Sequence, residues 1–352
     1  MGHAASKRIV VIGAGIVGAS LAYHLAGKGA DVTLIEAGEI ACGATGHSFG
    51  WINATCAGPD PIALLRSAAI SDYRRLESEL PSLQVRWTGA LSYGAVIDDL
   101  SRSSANLLPR AKIFEREPNL KHPPLQALFA AEEGALDPSQ ATHALIAGAQ
   151  AFGAKIITQT RVHGFAIRDA QLTGVETATG SIDADTVVIA AGTGTPLLTN
   201  LLNASLPIEA APVILIRYTT QPDLVNGIIS NPQLEVRHSA DGALLAAEDY
   251  LDDTPQNRPE VIALRTAEAI QSELHGVFSI APQSACVGLK PVTVDGLPIV
   301  GYLPNIEGAY VCSIHPGVTL AAIVGRLVSE EIIDGKSAAA LNACRPERFL
   351  KI

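Results

Sequence analysis

A short apolar run at residues 7–12, KRIVVI, breaks on Gly13-Ala14-Gly15-Ile16-Val17-Gly18 and resumes as the longer stretch ASLAYHLAGKG. The first run has the length and branching of a buried strand and the second has helical spacing. ADVTLIE at 30–36 reads as another strand, ending on the acid Glu36. Strand, glycine turn, helix and strand compose a compact βαβ unit. Helical spacing at 61–80 predicts a stripe of Leu64, Leu65, Ile70, Tyr73, Leu76 and Leu80, stopped by Pro81. Residues 84–96 pattern as a hairpin, QVRWTG against ALSYGAV, and the proline-bearing stretch that follows has no readable period. A helix at 138–152 is framed by Asp137 as N-cap, Pro138 at its first position and Gly153 past its end. The text then turns strand-like through AKIITQTRV, GFAIRDA, LTGVETATG and the apolar TVVIAAG. Residues 208–250 read as sheet and 259–275 as helix. The tail supplies a strand GAYVCSI, a turn at His315-Pro316-Gly317 and a helix VTLAAIVGRLVSEEII. Strands interleaved with helices predict an α/β architecture.

Composition narrows the function classes. With 352 residues, 48% hydrophobic and 17% charged, the chain can bury the core of about two domains, which excludes disorder and a disulfide-stapled miniprotein. A net charge of −10 with no cationic run argues against a nucleic-acid partner. Cys42, Cys56, Cys286, Cys312 and Cys344 form no CxxC pair and are odd in number, so neither a structural metal site nor a disulfide framework is expected. Apolar stretches such as 9–20 are broken by glycines and fall short of the roughly 20 residues of a membrane span. The first residues lack the apolar core of a signal peptide, and a cytoplasmic location is expected. No linker rich in Pro, Gly and Ser separates two halves, so two domains would be interleaved.

The glycine motif sits where its chemistry requires. Gly13 permits the turn after the strand, Gly15 lets backbone approach a pyrophosphate at a helix N-terminus, and Gly18 lets helix and strand pack closely. Glu36, 18 residues beyond Gly18, stands where a carboxylate accepts ribose hydroxyls. The motif alone does not separate NAD from FAD. Here the chain leaves Glu36 for a long glycine-bearing segment, AGEIACGATGHSFGWIN, rather than further parallel βα units, and this favours an extended FAD.

Four segments resemble the D-amino-acid oxidase superfamily of flavoenzymes, which includes glycine oxidase, sarcosine oxidase and dimethylglycine dehydrogenase. They are VVIGAGIVGASLAYHLAGKGADVTLIEAG, CGATGHSFGWIN, DTVVIAAGTGT, and GLKPVTVDGLPIVG followed by HPGVTLAAIVGRLVSEEI and RPERF. They lie in the family's order over nearly the whole length, whereas residues 52–135 and 206–280 match only in rhythm. The resemblance implies an α/β fold: a Rossmann-like FAD-binding domain (1–85, 137–209 and 284–352) interleaved with a smaller antiparallel-sheet substrate domain (86–136 and 210–283). It implies an FAD-dependent oxidoreductase that oxidises the C–N bond of an amino acid or secondary amine by hydride transfer to flavin N5, with oxygen or a quinone or electron-transfer protein as acceptor. A 2-hydroxy-acid dehydrogenase and a flavin-binding electron-transfer subunit are the alternatives, and no catalytic base is assigned.

The same resemblance assigns FAD contacts to Gly13, Ala14, Gly15, Ile16, Val17, Gly18, Glu36, Ala37, Gly43, Ala44, Thr45, Gly46, His47, Ser48, Val162, Ala191, Gly192, Gly288, Lys290, Gly317, Val318 and Thr319. His47 matches a histidine that some members link covalently to the flavin; a non-covalent contact is the expectation here and the bond the alternative. Lys290 matches an arginine that clamps the substrate carboxylate, and a lysine there is a point charge without the planar fork. Glu235 matches a carboxylate-binding tyrosine, so it would repel a substrate carboxylate unless Lys290 or Arg237 neutralised it. His315 is expected on the substrate side of the flavin, and Tyr250 and Trp51 are candidates for the pocket wall.

Overall fold

The computed structural model describes residues 6–55, 60–94, 106–250, 252, 254–304 and 306–350. Cys56 and the end of the anticipated hairpin, residues 95–96, lie outside the described residues. A six-stranded sheet is built around the parallel strands Arg8–Ile12, Asp31–Ile35, Lys155–Ile157, Thr186–Ile189 and Ala309–Ser313, with Ile299–Tyr302 antiparallel at one edge. The inner positions of its strands are mostly apolar because both faces are covered, with the charged Arg8, Asp31 and Lys155 at the strand starts. Ile9, Val11, Val32, Leu34 and Val188 pack against the helices Ile16–Gly27, Ala63–Glu79, Pro138–Ala151 and Gly317–Asp334. Val10, Ile12, Ile35, Val187 and Ile189 face the other way, toward a three-stranded antiparallel layer of Val162–Arg168, Gln171–Thr177 and Gly180–Asp183.

The helix ends follow the sequence signals. Asp137 accepts from the backbone N–H of Gln140 at 2.9 Å, capping the helix that opens on Pro138. In Ala63–Glu79 the buried stripe is Leu65, Ala69, Asp72, Tyr73 and Leu76, while Leu64 points to solvent at 67% exposure, so Leu64 does not belong to the predicted stripe.

An eight-stranded sheet runs in the order Ile280–Thr293, Ile208–Thr220, Leu244–Asp249, Leu234–His238, Ile228–Asn231, Ala90–Ser92, Gln126–Ala130, Asn106–Pro109. One face buries Ile214, Ile216, Val236 and Ala246 against the helix Pro259–Glu273. The other face carries Lys290, Leu215, Ala247 and Glu235 toward the large cavity.

The hairpin expected at 84–96 does not form. Ala90–Ser92 is flanked by Leu128–Ala130 on one side and, in parallel, by Ile228–Ser230 on the other, which leaves it no free edge for QVRWTG. Arg86 instead exchanges backbone hydrogen bonds with Ala135.

Candidate active site

All four central parallel strands end at one edge, the place where α/β sheets bind ligands. In register, Ile12 stands beside Ile35 and Ile189, and Ile189 beside Val311. Their continuations, Gly13, Glu36, Ala190–Gly192 and Ile314–Gly317, therefore converge by construction on a cavity of about 1050 Å³. Gly13 has φ +106°, and a Cβ on it would lie 2.5 Å from the Ala190 carbonyl oxygen. A Cβ on Gly18 would lie 1.9 Å from the Gly13 oxygen, so the motif glycines set how closely helix and strand approach. The Glu36 carboxylate accepts from the backbone N–H groups of Ala14 at 2.8 Å and Gly38 at 2.7 Å. That fixes a carboxylate, already seated on donors, at the rim of the cavity.

The loop after Glu36 is held by several braces. Thr45 Oγ1 accepts from the Ile16 N–H at 3.1 Å, tying the loop to the helix N-terminus. His47 Nδ1 lies 3.0 Å from the Gly43 carbonyl oxygen, so Nδ1 carries the proton and Nε2 is the free nitrogen. A Cβ on Gly288 would meet His47 Cβ at 2.7 Å, so only glycine lets the Ile280–Thr293 strand pass this close. Glu133, which the sequence does not single out, and unforeseen contacts of Thr319 and Tyr73 complete the scaffold. Glu133, 2% exposed, accepts from Trp51 Nε1 at 2.9 Å and from the N–H groups of Ala54 and Thr55 at 2.9 and 2.7 Å, and its burial pushes its carboxyl up from the ordinary range. Thr319 Oγ1 accepts from Asn53 N–H at 3.1 Å and donates to the Trp51 carbonyl at 3.3 Å. The Tyr73 hydroxyl donates to the carbonyl of Val318 in the first turn of the C-terminal helix. These contacts join positions more than 75 residues apart, so no local pattern announces them.

The sheet side of the cavity carries one lysine, Lys290, and three carboxylates, Glu235, Glu248 and Asp249. Lys290 makes no hydrogen bond or ion pair within the described residues and lines the cavity together with Glu235, Asp249 and His315. His315 is held down to about 4, first by burial and then by the charges of Lys290 and Arg66, so it is a neutral imidazole at pH 7. Glu235 is pushed up to about 7 by burial, against a lowering by the Ser230 hydroxyl and Lys290. Arg237 is not available as an anchor. The residue is 4% exposed, and its guanidinium donates to the carbonyls of Phe49, Leu136 and His238, which fastens the strand of Glu235 to the loop that follows His47.

Most of the sequence-derived residues meet at this one cavity: Gly13, Gly15, Ile16, Val17, Glu36, Ala37, Gly43, Ala44, Thr45, His47, Ser48, Trp51, Val162, Ala191, Gly192, Glu235, Gly288, Lys290, His315, Gly317, Val318 and Thr319. Ala14, Gly18 and Gly46 lie just behind the lining, shaping the turns. Tyr250 does not line it and packs instead on the core beneath the Pro259–Glu273 helix. The expectation of Tyr250 as pocket wall is corrected on this ground: it follows the strand end at Asp249, past the cavity-facing face.

An extended dinucleotide fits these residues. The glycines leave backbone bare where a Cβ on Gly43 or Gly192 would meet nothing within 4 Å, and a helix N-terminus opens onto that bare backbone. Asn53 belongs to the lining, and its Oδ1 is buried with no hydrogen-bond partner among the described residues.

Sheet order, the cradle and the convergent loops define a flavoprotein oxidoreductase fold, and the comparisons with known proteins agree. The FAD-dependent oxidoreductase (DAO) family model matches residues 8–331, so the chain belongs to the DAO family of FAD-dependent oxidoreductases. Glycine oxidase of Bacillus licheniformis is 25% identical, the match covering 92% of each chain. The bifunctional protein ThiO/ThiG of Synechocystis is 27% identical over 97% of this chain, and 4-methylaminobutanoate oxidase (formaldehyde-forming) of Paenarthrobacter nicotinovorans 26% over 97%. The chain spans only about half the length of those two relatives, 54% and 45%. Among solved structures, L-amino acid deaminase of Proteus myxofaciens superposes with a TM-score of 0.88 at 19% identity, covering 100% of this chain and 95% of that one. Glycine oxidase of Bacillus cereus gives 0.84 at 20%, covering 96% and 98%. Both likenesses establish the fold. Among the described residues no helix is long and apolar enough to cross a membrane.

Proposed function

We propose that the protein oxidises the C–N bond of an amino acid or secondary amine that also bears a carboxylate, yielding an imine that hydrolyses to a carbonyl compound. FAD, when bound, supplies the acceptor of the two electrons and the hydrogen removed with them. The residues of this chain do the rest. Glu36 and the glycine turn hold the nucleotide end, the braced loop 43–55 fixes the ring end, and Lys290 orients the substrate through its carboxylate.

The observation that carries this reading is Lys290, a cation in the cavity wall with no hydrogen-bond or ion-pair partner among the described residues. Its ammonium is thus open to the carboxylate of a ligand, a charge-assisted hydrogen bond that no protein group already occupies among the described residues. His315, neutral beside it, adds no second charge to hold. The compounds named in the relatives, glycine, 4-methylaminobutanoate and dimethylglycine, each join an amine to a carboxylate. Product analysis tests the proposal: FAD-loaded protein given N-methylated amino acids should release a carbonyl product in proportion to flavin turnover. Turnover of 2-hydroxy acids without any carbonyl product from amines would overturn it.

A further inference from the structure

We propose that Glu235 receives the proton of the substrate ammonium, so that the amine is oxidised in its neutral form; this rests on the amine reading above.

An aliphatic amine at pH 7 is almost wholly an ammonium, since the lysine ammonium has a pKa of about 10.4. An ammonium has no lone pair to support loss of hydride from the adjacent carbon. Something must take the proton, and the groups around the cavity can be weighed one by one. Lys290 is a cation. His315 is a neutral ring held down to about 4, too weak a base to gain from the transfer. On the neighbouring strand, Glu248 borders the cavity but its Oε1 accepts from the Thr266 hydroxyl of the Pro259–Glu273 helix at 2.9 Å, and Asp249 stands at the exposed strand end. Arg237, two residues along from Glu235, is spent on backbone carbonyls.

Glu235 differs from all of these. Its cross-strand partner is Ala247, which lies opposite Leu215, so Glu235 stands on the cavity face beside small and apolar side chains. Its one hydrogen bond is a long one from Ser230 Oγ, 3.4 Å, and no cation lies within 4.0 Å of it among the described residues. A half-buried carboxylate with so little compensation is ready either for a cation or for a proton. An arriving ammonium offers both. It docks as the missing cation, one N–H bond breaks, the electron pair stays on nitrogen, and the proton ends on the Glu235 carboxylate. Burial supports the assignment by holding this carboxyl up to about 7, where a base is half ionised at neutral pH and its conjugate acid can return the proton to water between turnovers.

The test is the pH dependence of flavin reduction, measured anaerobically on the FAD-loaded protein with N-methylglycine or whichever panel amine reduces the flavin fastest. Wild type should show a second-order rate that rises with pH through a limb at about 7. Glu235→Gln should lose that limb and rise instead toward the free-amine range, about 10, with a rate at pH 7 about a hundredfold or more below wild type. Glu235→Asp should keep a limb on the neutral side, displaced from that of wild type. FAD absorbance and melting temperature report whether each variant is folded and loaded, and where the Gln variant is not, the Asp variant decides. A limb unmoved in the variants, or a Gln rate within about threefold of wild type at pH 7, overturns the proposal while leaving amine oxidation standing. Wild type inert to every amine overturns both.

Discussion

The Glu36 carboxylate accepts a hydrogen bond from the backbone N–H of Ala14 at 2.8 Å, so the acid ending the second strand also closes the glycine turn after the first. One side chain thus shapes the cradle, and in the proposed reading it also offers acceptors to the ribose of FAD. Glu36→Arg removes both and places a cation against the helix N-terminus. Hydrogen bonds to a charged group contribute about 1.5–3 kcal/mol each, so the dissociation constant for FAD should rise by about tenfold to a hundredfold or more. Fluorescence titration of the apoprotein measures it. An unchanged constant would show that Glu36 does not meet the ribose.

His24 ties stability to acid. The Arg75 guanidinium lies 2.8 Å from His24 Nε2, and His24 Nδ1 lies 2.8 Å from the Ser20 carbonyl, which fixes a neutral ring with Nε2 as acceptor. Burial, above all, holds its pKa down to about 4 from an ordinary 6.5. A histidine with a lowered folded pKa stabilises the fold fully above pH 6.5, and that contribution is lost as pH falls through about 4. The loss should approach about 3 kcal/mol, at about 1.4 kcal/mol per pH unit, and it should be missing from His24→Gln. Urea unfolding at pH 7 and pH 4 compares the two proteins; equal acid sensitivity would remove His24 from the account.

Much of this was legible from short-range pattern. The Gly13-Ala14-Gly15-Ile16-Val17-Gly18 turn, Glu36 and the Asp137-Pro138 cap each obey rules that act within a few residues or one βαβ unit. What escaped depends on distant partners. Ile280–Thr293 does not read as a strand: it pairs along the whole length of Ile208–Thr220 as the edge of the sheet, and its first half is exposed on both faces, so no apolar alternation marks it. Arg237 reads in sequence as a possible anchor, yet it is spent on carbonyls of Phe49 and Leu136, about 190 and 100 residues away. Glu133 lies in the stretch without a readable period and is 2% exposed, because the Trp51 indole and two backbone N–H groups supply its donors.

Lys290→Ala should abolish the anchoring of the substrate carboxylate. Truncating one partner of a buried charged pair costs about 2 to 5 kcal/mol, so kcat/KM should fall by about thirtyfold to several thousandfold. Lys290→Arg should retain much of the activity, because the charge remains. Steady-state kinetics decide, and a Lys290→Ala enzyme within about threefold of wild type would assign the anchor elsewhere.

His47 should contact the flavin without a covalent bond. Its Nδ1 is engaged by the Gly43 carbonyl at 3.0 Å, which leaves Nε2 as the unengaged nitrogen among the described residues. Acid precipitation of the yellow protein should leave the colour in the supernatant. A yellow pellet that turns colourless in His47→Ala would instead establish a bond at this residue.

The central claim, an FAD enzyme that oxidises carboxylate-bearing amines in the cavity of Glu36, His47 and Lys290, is met most directly by anaerobic mixing of the FAD-loaded protein with D-, L-, N-methylated and cyclic amino acids. Absorbance near 450 nm reports the oxidised flavin. At least one of these amines should bleach it, and the corresponding amine without a carboxylate should bleach it far more slowly. Flavin that stays yellow with every amine, or that is bleached only by 2-hydroxy acids, would contradict the account.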